Sequence, residues 1–249
     1  MKLYFNGCSF TYGNELKDPQ KNSWPVLVAS SINADFTNDS VNGGTNDRIM
    51  YKTILNFRHY DYFFIAWTYY ERFTEYNPID NFEINFNSAL NMDPSLHYSD
   101  DLKLNRWKYQ EYGKLFYKYW FNELYELKKW LQQIILLQAF FQGHDKKYLM
   151  LNTANNNLNS WLQPKDKFIE STRHLLKFFD RMDDDQLMLE HQQIQDLCSI
   201  IDTEAFVGWG TWCITDLGLA HKCGPNGHIL EDGHRAVAKK VLEHYNKVS

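Results

Sequence analysis

The chain has no basic excess, no long apolar run and no paired-cysteine motif. Lysine and arginine number 26 against 31 aspartates and glutamates, a net charge of −5 with both signs spread throughout. A nucleic-acid surface needs a concentrated basic footprint, so that class is set aside. No apolar stretch reaches the roughly 18 residues that a membrane-spanning helix requires. The four cysteines, Cys8, Cys198, Cys213 and Cys223, form neither a CxxC pair nor a zinc spacing. Free thiols are expected, although Cys213 and Cys223 could pair in an oxidising compartment. No signal peptide precedes the first predicted strand, because Lys2 runs directly into it, and a cytoplasmic location is expected. Neither an internal repeat nor a linker divides the 249 residues, which are expected to form one domain.

What is abundant is aromatic: 16% of residues, favouring large, stiff side chains in the core and around any cleft. The opening stretch is the most informative. Leu3, Tyr4 and Phe5 read as a short buried strand that Asn6 and Gly7 end abruptly. Ser9 follows where strand gives way to turn, the position at which open α/β folds hold ligand sites.

Further strands are expected over Phe36–Val41, Tyr60–Trp67, Tyr148–Thr153 and Ala205–Trp209. The second is a continuous apolar run, as for a parallel strand covered on both faces. Helical spacing separates them: a helix from Trp24 with Ser23 as its cap, one running through Ile49 and Phe57, and a broad stripe from Trp107 to Phe141. Two more follow at Asp166–Met182 and Gln186–Ile200, and a last one at Glu231–Tyr245. Alternating strands and helices predict a three-layer α/β/α fold with a parallel, flavodoxin-like sheet of about five strands. Residues from about 69 to 106, rich in Asn, Asp, Tyr and Phe without a sustained period, read as an insertion, either a lid over the site or a surface elaboration.

A serine hydroxyl is nearly inert at neutral pH and needs a base to take its proton; histidine has the right basicity. His228, near the other end of the chain, is the candidate. Gly7-Cys8-Ser9-Phe10 resembles the opening motif of the SGNH (GDSL-type) hydrolases. Gly227-His228, with Gly233-His234 six residues on, is similar to that family's closing motif. Asn42-Gly43-Gly44 and Ala66-Trp67-Thr68 end the second and third strands, where the family keeps its other two motifs.

The resemblance implies ester hydrolysis with Ser9 as nucleophile and His228 as base. Backbone N–H groups of Ser9 and Gly43 would hold the oxyanion, with Thr68 in the place of the family's oxyanion Asn. Cys8 replaces an Asp beside the nucleophile. Pro225 stands where the triad Asp belongs, so Asn226, a backbone carbonyl or Asp216 is expected to orient His228, as a dyad or weakened triad. Asn46 is placed either to cap its helix or to reach the cleft.

The implied substrate is a small-molecule, lipid or carbohydrate ester, and no cofactor is required. The alternative is an SGNH-fold binding module for a glycan or protein, with the departures as signs of lost activity. Asp183-Asp184-Asp185 is a helix N-terminus before it is a metal site. His221, Cys223 and His228 fit no common zinc pattern. Cys8 is a buried small side chain before it is a nucleophile. His234 is structural, hydrogen-bonding near the start of the last helix. Arg72 either clamps an anionic or sugar substrate or pairs with Glu71 or Glu75, and the ion pair is favoured.

Overall fold

Alternating side chains along each strand divide the interior into two cores, one on each face of a single sheet. A computed structural model describes residues 1–77, 82–86, 106–156, 158–164, 167–168 and 183–248. The strands are β1 (Lys2–Asn6), β2 (Asp35–Asn38), β3 (Tyr62–Trp67), β4 (Phe73–Asn77), β5 (Phe82–Phe86), β6 (Lys147–Asn152) and β7 (Phe206–Val207). Five of them form a sheet in the order β2-β1-β3-β6-β7, every neighbour parallel. This is the flavodoxin-like order expected from the sequence.

The helices are α1 (Ser9–Tyr12), α2 (Pro19–Asn22), α3 (Trp24–Ser31), α4 (Asn46–Asn56), α5 (Arg106–Tyr119), α6 (Glu123–Gly143), α7 (Leu158–Trp161), α8 (Asp184–Ile200) and α9 (Glu231–Val248). Tyr4, Phe63, Ile65, Trp67 and Met150 face α4, α6 and α8 through residues such as Ile49, Trp130, Leu131 and Ile194. Their neighbours in sequence, Leu3, Phe5, Phe64, Ala66, Leu149 and Leu151, face α3 and α9 through Trp24, Val28, Val237 and Val241. The period of two along the strands therefore assigns each residue to a layer. Burying a Phe or Leu side chain is worth about 1.5–3 kcal/mol, so these two layers are the principal source of stability.

Several expectations are corrected. The stripe from 107 to 141 is two helices, broken at Trp120–Asn122, where Asn122 accepts from the Tyr125 N–H at 3.0 Å and starts α6. Within the stretch expected to lack regular structure, β4 and β5 pair as an antiparallel hairpin. Residues 78–81 and 87–105 of that stretch, and with them the lid, lie outside the described residues, as does nearly all of the helix expected over 166–182. Asp183 caps α8 by a reciprocal bond pair with Gln186, which accounts for that carboxylate without a metal. The cysteines are free. Among the described residues, no helix is long and apolar enough to cross a membrane.

Ser23 occupies the cap position of α3, but its side chain makes no capping bond. The first N–H of that helix, from Trp24, donates instead to His234 Nδ1 at 3.1 Å. This bond ties α9 to α3 and requires the imidazole to be unprotonated at Nδ1. Burial, with a smaller contribution from His228, pushes the His234 pKa down to about 4. A depressed histidine favours the folded state above its unfolded pKa, and that stability is lost as pH falls. Between pH 6.5 and about 4, roughly 3 kcal/mol of stability should disappear. Urea denaturation at steps across that range is expected to show the loss in wild type and a flatter profile in His234→Gln; equal slopes would contradict it.

Candidate active site

β1 and β3 lie side by side with Asn6 opposite Ile65, so the segments that follow them emerge together at the carboxyl edge of the sheet. Gly7 makes the turn out of β1. A side chain there would lie 2.3 Å from Thr11 Oγ1 and 3.1 Å from Ala66 Cβ, so only glycine fits. Ser9 then begins the one-turn helix α1, with the Thr11 and Tyr12 N–H groups both bonded to the Cys8 carbonyl at 2.9 Å. Gly13 ends that turn in the left-handed region at φ 88°. Glu15 follows at φ 67°, an unusual conformation for a non-glycine residue.

That conformation coincides with an acid contact that the sequence reading missed. Glu15 Oε2 lies 2.9 Å from His228 Nδ1, and His228 Nε2 lies 2.8 Å from Ser9 Oγ. The two ends of the chain therefore meet as a Ser–His–Glu relay. With its proton on Nδ1, donated to the carboxylate, the imidazole leaves Nε2 to accept from the serine hydroxyl. Phe10 packs against the ring with centroids 4.7 Å apart.

The carboxylate is held by the loop that carries the histidine. Gly224, Pro225, Asn226 and Gly227 form a turn closed by the Gly227 N–H on the Gly224 carbonyl at 3.0 Å. Pro225 sits at its second position, where a fixed φ suits the turn. Glu15 accepts from the Asn226 N–H at 2.9 Å, Asn226 Nδ2 at 3.1 Å and the His228 N–H at 3.1 Å, besides the ring. A side chain on Gly224 would come within 2.6 Å of this carboxyl group. Burial alone would raise the Glu15 pKa, but these donors outweigh it and hold the group below the ordinary glutamate value.

The expected orienters are thereby corrected. Asn226 donates to Glu15 and not to the imidazole, both of whose nitrogens are engaged elsewhere. Asp216 accepts from the Cys213 N–H at 2.8 Å, capping the short 3-10 helix Ile214–Leu219. Glu15 was missed because orientation was sought beside the histidine. The available signal was a carboxylate six residues after the serine, just past a turn-forming glycine.

Gly43 has φ 71° and open space around its Cα, while Gly44 packs against the Gly7 carbonyl and Cys8 Cα. Among the described residues no acceptor takes the N–H of Ser9 or of Gly43. Thr68 is fully buried and its backbone is clamped: Asn46 accepts from its N–H at 2.8 Å, while Asn46 and Asn156 donate to its carbonyl at 3.2 and 3.1 Å. Asn46, expected to cap its helix or reach the cleft, does neither, since Thr45 is the cap of α4 and the Asn46 amide is engaged on Thr68. Cys8 is buried and directed to Thr153 Oγ1 at 3.7 Å.

A family model described as a family of unknown function, DUF6071, matches residues 14–166. The chain belongs to that family. The DUF6071 match includes Glu15, Gly43 and Thr68 but neither Ser9 nor His228. No curated protein matches the chain. Among solved structures, it is similar to a member of the lipolytic G-D-S-L family from Veillonella parvula, at 14% identity over the whole of both chains with a TM-score of 0.46. It is similar also to the psychrotrophic esterase EstA from Pseudoalteromonas, at 10% identity over 99% of this chain and 97% of that one, TM-score 0.46. A third is LAE5, an alpha/beta hydrolase enzyme from the metagenome of Lake Arreo, at 12% identity over 100% and 96%, TM-score 0.44. These likenesses are distant, and the fold assignment rests on this chain's own strand order and register.

A lowered carboxylate pKa stabilises the fold above the group's unfolded value and ceases to do so as pH falls through its folded value. Glu15→Gln should therefore flatten the acid limb of the stability profile below about pH 4.5. Urea midpoints from pH 5.5 down to 2.5 test this; a variant that tracks wild type throughout would mean the carboxylate is not held as described.

Proposed function

We propose that this protein is a serine hydrolase that cleaves carboxylic esters by acyl transfer. The observation that carries the reading is the unbroken relay from Ser9 Oγ through the His228 ring to the Glu15 carboxylate. Ser9 Oγ attacks the ester carbonyl while His228 Nε2 takes its proton. Glu15 fixes the ring and stabilises the imidazolium that forms. The tetrahedral oxyanion is received by the Ser9 and Gly43 N–H groups, and the Thr68 hydroxyl is a candidate third donor. His228 then protonates the departing alcohol. A water molecule, deprotonated by the same imidazole, releases the acid and restores Ser9.

The binding-module alternative took its motive from Pro225 and Thr68, which stand in place of an expected acid and an expected oxyanion Asn. The Glu15 carboxylate behind the ring answers the first of these departures and leaves the second. Glycan and lipid esters, and small acyl esters, remain the substrate classes implied by the motif resemblance.

Ser9→Ala is expected to lower kcat on 4-nitrophenyl acetate by a factor of about 10³ or more, and a fluorophosphonate should label wild type at Ser9 alone. Glu15→Gln should lower kcat by roughly 10²–10⁴ with little change in KM, and Glu15→Asp should recover part of the loss. Unlabelled Ser9, together with hydrolysis indifferent to Ser9→Ala, would sink the proposal.

A further inference from the structure

Arg72 is nine-tenths buried immediately before β4, with no carboxylate within ion-pairing distance among the described residues. The favoured pairing with Glu71 does not form, and the Glu75 side chain lies outside the described residues. Its Nη1 donates to Thr68 Oγ1 at 3.1 Å and approaches the Gly44 carbonyl at 3.5 Å. The guanidinium thus bridges the two segments that flank the Ser9 turn. Its Cζ lies over the Tyr69 ring, 4.7 Å from the centroid.

The remaining edge of the guanidinium is unused. Nε is buried and has no hydrogen-bond partner, and no bond from Nη2 is formed among the described residues. These two N–H groups point side by side, the fork that takes both oxygens of one carboxylate. A buried cation without a counter-ion is costly, and neither a neutral hydroxyl, a carbonyl nor an aromatic face replaces one.

We propose that Arg72 is the anion subsite of this active centre, and that the ester hydrolysed carries a carboxylate on its acyl part. This rests on the esterase reading above for the identity of the reaction, but not for the binding of the anion. The acyl carbonyl would sit at Ser9 with the carboxylate on the Nε–Nη2 edge. Hydrolysis would release a dicarboxylic acid and an alcohol, with water supplying the hydroxyl and the proton.

The test compares 4-nitrophenyl hemisuccinate with 4-nitrophenyl butyrate, whose acyl chain has the same length without the charge. Wild type should prefer the hemisuccinate by at least tenfold in kcat/KM. That ratio should collapse in Arg72→Met and be partly kept in Arg72→Lys, whatever the absolute rates. A wild-type ratio below one, or the same ratio in wild type and Arg72→Met, would overturn the subsite; the wild-type ratio alone decides if the Met variant does not fold. Titration calorimetry with monoethyl succinate separates the two proposals. Arg72-dependent binding without turnover or Ser9 labelling would uphold the subsite and reject the esterase. Turnover without charge preference or Arg72-dependent binding would do the reverse.

Discussion

The bond between Glu15 and the loop around His228 is the constraint on which the site depends. One carboxyl group accepts from four N–H donors, two of Asn226 and two of His228. Charge-assisted bonds of this kind are about twice as strong as neutral ones. They hold both the ring and the backbone that bears it. Much of the local sequence follows: no side chain at 224, a proline at the corner of the turn, and a left-handed Glu15 that aims its carboxylate across the opening.

The sheet supplies the other half of the arrangement. Parallel pairing of β1 with β3 brings Ser9 and Thr68 to one edge, and the Gly43–Gly44 turn after β2 closes against the Cys8 backbone. Two asparagines from different elements fasten the Thr68 peptide on both sides. On the proposed reading, rigid backbone at that edge keeps the oxyanion donors in place before charge develops. The same edge holds Arg72, whose charge is met among the described residues only by neutral groups.

The layers of the fold were legible because strands buried on both faces write continuous apolar runs, as Tyr62–Trp67 does, and because helical spacing recurs between them. The motifs at the two ends predicted that Ser9 and His228 would meet, and the two side chains lie 2.8 Å apart. The hairpin β4–β5 was not, since its strands carry no clean alternation and Asn and Glu interrupt them. The break between α5 and α6 was hidden because Trp120 and Phe121 prolong the apolar stripe through a non-helical step. Glu15 lay in a polar loop, and nothing local ties it to a histidine 213 residues away. Asn46 was misread because a polar side chain near a cleft is as well employed holding a neighbouring peptide as meeting a ligand.

In this arrangement the alcohol and the acid are neighbours on a single short segment, while the base is translated 219 residues later. On a ribosome the first two would emerge before the third and remain chemically silent. Only when the segment carrying His228 docks does Ser9 gain an imidazole beside it. On the proposed reading, hydrolytic power is therefore gated by completion of the fold, and a nascent chain is unable to attack its surroundings.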